Sequence, residues 1–255
     1  TRALILVPTR ELATQVGETM RGFAERLATP LKVSIVFGGV SINPQMMRMR
    51  GGTDVVVATP GRLLDLLDHN ALKLGHVETL VLDEADRLLN EGFADELAAI
   101  LALLPAQRQN QLFSATLPDA VQALASKLLS DPVRIDLSAE PETEPDIVER
   151  AIEVDAGRRT ALLHHLIEQH AWPRVLVFVA TRTACEHVAE KLGKRGTWAA
   201  PFSSEMSQGA RTEALAHFKA GRLQVLVATD LAARGIDIDQ LPVVESPQLG
   251  ALPTS

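Results

Sequence analysis

A chain of 255 residues, 46% of them hydrophobic, is long enough for two modest cores. Its formal net charge of −7 argues against gripping nucleic acid by bulk positive charge, while leaving room for a local groove of arginines and helix N-termini. One cysteine excludes an internal disulfide and fits a reducing compartment, and the longest apolar runs fall far short of a membrane span.

From the start the pattern is strand, then helix. Ala3–Val7 reads as a strand, and Arg10–Ala28 as a helix whose Leu12, Val16, Met20, Phe23 and Leu27 make one apolar stripe. Strand Val33–Phe37, a helix around Pro44–Arg50, strand Val55–Ala58 and a helix from Gly61 through Leu67 follow. Val77 and Leu80–Leu82 then form a short buried strand running into Asp83, Glu84 and Asp86. Strand Gln111–Phe113, helix Asp119–Leu129 and strand Val133–Leu137 complete a first domain, residues 1–137, that holds 13 basic and 16 acidic side chains. Alternation without hairpin turns predicts a parallel α/β sheet.

Ser138–Asp146, SAEPETEPD, has two prolines and four acids and reads as an exposed acidic linker. A second parallel α/β domain, residues 147–244, is expected beyond it. Its predicted elements are strand Ile147–Val154, a helix carrying Leu162, Leu163, Leu166 and Ile167, and strand Val175–Ala180. Helix Thr183–Leu192 opens on a Thr183–Glu186 capping box and places Cys185 with Val188, Ala189 and Leu192 as a small core residue. Strand Trp198–Phe202, helix Gln208–Lys219 and strand Gln224–Ala228 close the readable part, and residues 245–255 are expected to be an unstructured tail.

Seven strands end in small, polar, turn-forming groups: Pro8-Thr9-Arg10, Gly38-Gly39, Thr59-Pro60-Gly61-Arg62, Asp83–Asp86, Ser114-Ala115-Thr116, Thr181-Arg182 and Thr229-Asp230. Strands of a parallel sheet end on one side, so each domain presents one polar rim with unpaired backbone N–H groups suited to phosphate oxygens. Each threonine alone is adequately explained as a helix cap, with Pro60 at the first helical position after Thr59, and each arginine alone as a surface residue. Together they favour a phosphate-rich ligand. The three acids repel one another unless a cation sits among them, which suits a magnesium–nucleotide site; the bland alternative is that Asp83 caps the next helix.

In this order the motifs resemble the DEAD-box ATP-dependent RNA helicases of bacterial type, from Arg2 to about Val244. PTRELA at Pro8–Ala13, Gly38-Gly39, TPGR at Thr59–Arg62, DEAD at Asp83–Asp86 and SAT at Ser114–Thr116 carry the likeness in the first half. VFVATR at Val177–Arg182, Gln208 with Arg211, and ATDLAARGIDI at Ala228–Ile238 carry it in the second. The resemblance implies two RecA-like domains, ATP and Mg²⁺ as cofactors, and RNA as a sequence-tolerant partner of a cytoplasmic, monomeric protein. It implies that Asp83 holds Mg²⁺ through water and that Glu84 orients or deprotonates the attacking water. Asp86, Ser114 and Thr116 would couple nucleotide state to the contact between domains. Thr9, Arg10, Gly39, Thr59, Gly61 and Arg62 would contact the RNA backbone, continued by Thr181, Arg211, Thr229 and Asp230, while Gly235 and Asp237 would face the nucleotide.

Two family elements are not in these residues. No G-x-x-x-x-G-K-[ST] occurs, and no arginine-rich motif follows Ala228–Ile238. Both domains are therefore expected to be incomplete, as a truncated or frame-altered piece of a helicase gene. The competing readings are a non-catalytic RNA-binding or interaction fragment and a helicase-like DNA translocase.

Overall fold

The computed structural model describes residues 1–90, 92–137, 150–203, 205–229, 232, 236, 238, 241 and 243–245. The chain divides into two compact units, Thr1–Ile135 and Asp136–Ser255.

In the first unit, strands β1 (Ala3–Leu6), β2 (Val33–Val36), β3 (Val55–Ala58), β4 (Thr79–Leu82) and β5 (Gln109–Leu112) form one sheet in the order β2-β3-β1-β4-β5. Every pair is parallel, and Ala3 stands opposite both Val55 and Thr79. Successive side chains of β1 enter different cores, as the two-residue strand period requires. Leu4 and Leu6 pack with Val56, Ala58, Leu80 and Leu82, beneath helices α3 (Pro60–Asp68) and α5 (Ala94–Ala102). Ile5 and Val7 pack with Val33, Val55 and Val57 beneath α1 (Arg10–Ala24). Burial on both faces explains the unbroken apolar runs. Helices α2 (Ile42–Met49), α4 (Ala85–Asn90) and α6 (Asp119–Leu128) complete the unit.

In the second unit, β6 (Val175–Val179), β7 (Ala199–Phe202), β8 (Val225–Thr229) and β9 (Val243–Glu245) form a parallel sheet in the order β7-β8-β6-β9. Helices α7 (Arg159–His170) and α8 (Arg182–Gly193) cover one core, where Cys185 lies fully buried with Ala189 and Leu192. Helix α9 (Gln208–Lys219) sends Phe218 into a second core with Phe202 and Leu226.

Several elements differ from expectation. Helix α1 stops at Ala24, and Phe23 and Leu27 are exposed. Its buried face is Leu12, Ala13, Gly17 and Ala24, and Val16 and Met20 of the expected stripe pack against the same core, while small residues at 13, 17 and 24 bring the helix close to the sheet. Val133–Leu137 is not a strand: Val133, Ile135 and Leu137 are 89%, 80% and 80% exposed. Alternating apolar residues need an edge to pair with, and no described strand lies on the free side of β5. Residues 150–154 form no strand either, and 138–149, with the acidic linker, lie outside the described residues. The cap of α8 is Thr181, whose Oγ1 accepts from Ala184 N at 3.2 Å, while Glu186 pairs with Arg182 instead of boxing Thr183. Strand β9 went unpredicted because three residues carry no readable period; its last residue, Glu245, belongs to the stretch expected to be tail, while 246–255 lie outside the described residues.

A Cβ at Gly17 would overlap Cγ1 and Cδ1 of Ile35 on β2. Gly17→Ala is therefore expected to destabilise the first unit by about 1–3 kcal/mol despite better helix propensity. In urea denaturation, combining it with Ile35→Ala should cost less than the two single losses summed; additive losses would contradict the contact.

Candidate functional site

Strand order arranges the rim of the first unit. The turns after β2, β3, β1, β4 and β5 are Gly38-Gly39, Thr59–Arg62, Pro8–Arg10, Asp83–Asp86 and Ser114–Thr116. The three expected backbone-binding motifs therefore lie side by side, and the acidic turn comes next. Ladder bonds carry the order into the turns: Val7 N donates to Ala58 O, Thr59 N to Val36 O, Asp83 N to Leu6 O and Phe113 N to Leu82 O, at 2.8–3.1 Å.

At the acidic turn, Asp83 Oδ1 accepts from Glu84 N at 2.9 Å, so Asp83 does not cap α4. Its other oxygen accepts no bond from a described residue. Glu84 holds φ at +50°, a left-handed conformation that costs a non-glycine residue about 1–3 kcal/mol and clusters at functional sites. The Glu84 carbonyl accepts from Arg87 N and Leu88 N, starting α4, and its carboxylate pairs with Arg87 Nη1 at 3.0 Å. Burial pushes the Glu84 carboxyl above the usual range; Arg87 opposes this, and Asp83 and Asp86 add to it.

Asp86 is buried and latched to the next strand's turn. Its Oδ2 accepts from Thr116 Oγ1 at 2.6 Å, its N–H donates to Ser114 Oγ at 3.2 Å, and Ser114 Oγ donates to Thr116 O at 2.6 Å. Burial alone would raise its pKa, but hydrogen bonds from Thr116, Ser114 and the Arg87 N–H together hold it below the usual range.

Two arginines fasten the glycine turn. Gly39 has φ +76°, and a Cβ there would fall within the Arg10 guanidinium, which rests against it. Arg62 is buried; its Nη2 donates to Val40 O at 2.8 Å and its Nε to Asp65 at 3.3 Å, while the buried Nη1 has no partner among the described residues. Thr9 caps α1 through Leu12 N at 3.2 Å. Thr59 occupies the cap position of α3 but makes no side-chain cap bond, and Gly61 follows it in the first turn.

In the second unit, Thr229 ends β8, and Thr181, two residues past the adjacent β6, caps α8. Thr229 Oγ1 accepts from Ala232 N at 3.4 Å. Arg211 is buried, stacked 4.5 Å from the Phe202 ring, and donates to Ser203 O and Ala232 O. Arg182 is held by Glu186 and Glu205. Asp230, Gly235 and Asp237 lie outside the described residues. Sequence reading missed Arg87 as the partner of Glu84; its only signal is the three-residue spacing on a helix.

No group of three or more histidines, cysteines or carboxylates gathers as a metal site among the described residues. Mg²⁺ asks less: one or two carboxylates, waters and phosphates. Asp83, with one oxygen unengaged, fits that demand.

The depressed Asp86 contributes stability above its unfolded pKa that is lost as pH falls through the lower folded value. Thr116→Val is expected to cost about 1.5–3 kcal/mol at neutral pH. Urea titrations followed by circular dichroism should show that cost shrinking as the medium is acidified; a pH-independent cost would contradict the latch.

Residues 1–124 match the DEAD/DEAH box helicase family, and residues 158–245 match the helicase conserved C-terminal domain. Over 94% of this chain, the ATP-dependent RNA helicase DeaD of Mycobacterium tuberculosis is 40% identical, and the chain spans 42% of that protein. The DEAD-box ATP-dependent RNA helicase CshA of Geobacillus kaustophilus is 38% identical over 93% of the chain, which spans 50% of it. S. cerevisiae Dbp5 bound to RNA and ADP BeF3 superposes with a TM-score of 0.78 at 26% identity, covering 99% of this chain and 63% of that one. The chain thus spans about half or less of the curated relatives named here, and the matches do not favour a non-catalytic reading. Both matched regions fall on parallel α/β units of RecA-like fold, and the matched motifs fall on the rim described above; the chain belongs to the DEAD-box helicase family.

Proposed function

We propose that this chain forms part of an ATP-dependent RNA helicase, with residues 1–137 and 147–245 as its two functional domains, 138–146 as the linker between them and 246–255 as a tail. The observation that supports the reading is the contiguous rim: three adjacent turns, the glycine turn fastened by Arg10 and Arg62, directly beside the acidic turn and its latch.

Mg²⁺–ATP, when bound, supplies the phosphoanhydride bond and the cation that neutralises charge on the transferring group. Asp83, with one carboxylate oxygen engaged by no described residue, would hold that cation. Glu84, its carboxyl raised by burial, orients the attacking water and takes its proton. Asp86, Ser114 and Thr116 carry a change at the acidic turn to the end of β5. Thr9, Arg10, Gly39, Thr59 and Gly61 receive the sugar–phosphate backbone of one strand, and contacts of that kind carry no base information. Arg62 and Arg211, both buried, act as positioning residues, one setting the glycine turn and the other the 228–232 segment. In the second unit Thr181 and Thr229 contact sugar–phosphate backbone; Asp230 is assigned the same role, and Gly235 and Asp237 a role in nucleotide binding. Duplex separation follows from differential affinity, since the state that binds one bent strand is favoured and its complement is released.

The single buried thiol Cys185 suits a reducing compartment, and we assign the cytoplasm. A net charge of −7 opposes self-association, and we assign a monomer.

Purified as these 255 residues, the protein has no glycine-rich phosphate loop and should show no RNA-stimulated ATP hydrolysis. Turnover abolished by Asp83→Asn would contradict that. Fluorescence anisotropy should show the chain binding uridine and adenine oligonucleotides with similar affinity. Arg10→Ala should weaken both alike and lower the salt slope by about 0.7. Base-dependent loss, or no RNA binding by the parent chain, would overturn the reading.

A further inference from the structure

The outer edge of β2 carries an unassigned surface. Lys32 O accepts from Asp54 N and Val55 N, and Val36 O from Thr59 N, so even-numbered residues of this strand face β3. Val33, Ile35 and Phe37 face away. At Phe37 the edge is sealed: Gln45 on α2 accepts from Phe37 N and donates to Phe37 O, both at 3.1 Å, the pairing a neighbouring strand would make. At Val33 and Ile35 no described residue pairs with the outward N–H and C=O groups. A hollow of about 260 Å³ lies there, lined by Val33, Ser34, Ile35, Gln45 and three cations, Arg21, Lys32 and Arg48. Arg21 comes from α1 and Arg48 from α2, helices that pack in the two different cores flanking β2. Arg21 is paired with Glu18 at 2.8 Å, and Lys32 Nζ donates to Arg50 O at 2.9 Å.

We propose that this edge receives an acidic, extended peptide segment of a partner protein, which adds as a sixth strand beside β2. The exposed main-chain groups of Val33 and Ile35 supply the ladder bonds, and successive side chains of the incoming strand point to opposite faces, toward Arg21 on one side and Arg48 on the other. Charge decides between occupants. A second copy of β2 would bring the same three cations against these three, a like-charge pairing of the kind that keeps exposed edges apart. Nucleic acid would meet the cations but has no use for outward carbonyls alternating with N–H groups.

The test uses the full chain and a fluorescein-labelled, capped seven-residue peptide of valine and threonine with two adjacent central glutamates. Saturable binding is expected, weakened roughly tenfold or more by the Arg21→Glu, Arg48→Glu double variant. The same peptide N-methylated at alternate residues should also lose roughly tenfold, because it cannot complete the ladder. The methylated peptide needs no protein variant, so it separates loss of the site from loss of folding. Equal binding of methylated and unmethylated peptides would reduce the site to bulk charge and overturn the proposal. Displacement of the peptide by a uridine oligonucleotide would assign the hollow to RNA, and absence of saturable binding would remove the site altogether; either overturns it.

Discussion

The turn after β2 is pinned by side chains from the first turns of two helices. Arg10, the first residue of α1, rests on Gly39, and Arg62, in the first turn of α3, donates to Val40 O at 2.8 Å. Glycine suits position 39 because φ is +76°, and a side chain there would also push aside the flexible end of Arg10. Three motifs far apart in sequence thereby become one rigid surface. A buried guanidinium with a nitrogen unpaired among the described residues costs about 1–3 kcal/mol. The cost suits a site whose geometry must be set before its ligand arrives, since preformed contacts avoid ordering entropy on binding.

The acidic turn is organised on a different principle. There the backbone itself is strained, at Glu84, and the neighbouring Asp86 is over-bonded by Ser114 and Thr116. Adjacent carboxylates are pushed in opposite directions, Glu84 toward proton uptake and Asp86 toward permanent charge. Environments that part the pKa values of neighbouring acids mark a division of labour. The rim and the acidic turn stand on β1 and β4, which pair directly as neighbours in the sheet.

Much of this was legible beforehand. Apolar runs without alternation announced parallel strands buried on both faces, and the turn residues at their ends announced the rim. Which turns become neighbours was not legible, because strand order is a property of crossover connections and not of any local window. Burial of Arg62 and Arg211 was missed for a related reason: an arginine is read as a surface residue until a distant carbonyl is seen to receive it. Val133–Leu137 failed in the other direction. Its alternation is real, but a strand exists only where an edge pairs with it.

The most direct test of the fastened rim is a double-mutant cycle between Gly39→Ala and Arg10→Ala, read as affinity for a uridine oligonucleotide. If Arg10 and Gly39 act as one unit, the double variant should bind little worse than either single variant, with a coupling of about 0.5–3 kcal/mol. Losses that simply add would show two independent residues, and the account of the rim as a preformed receptor would fail.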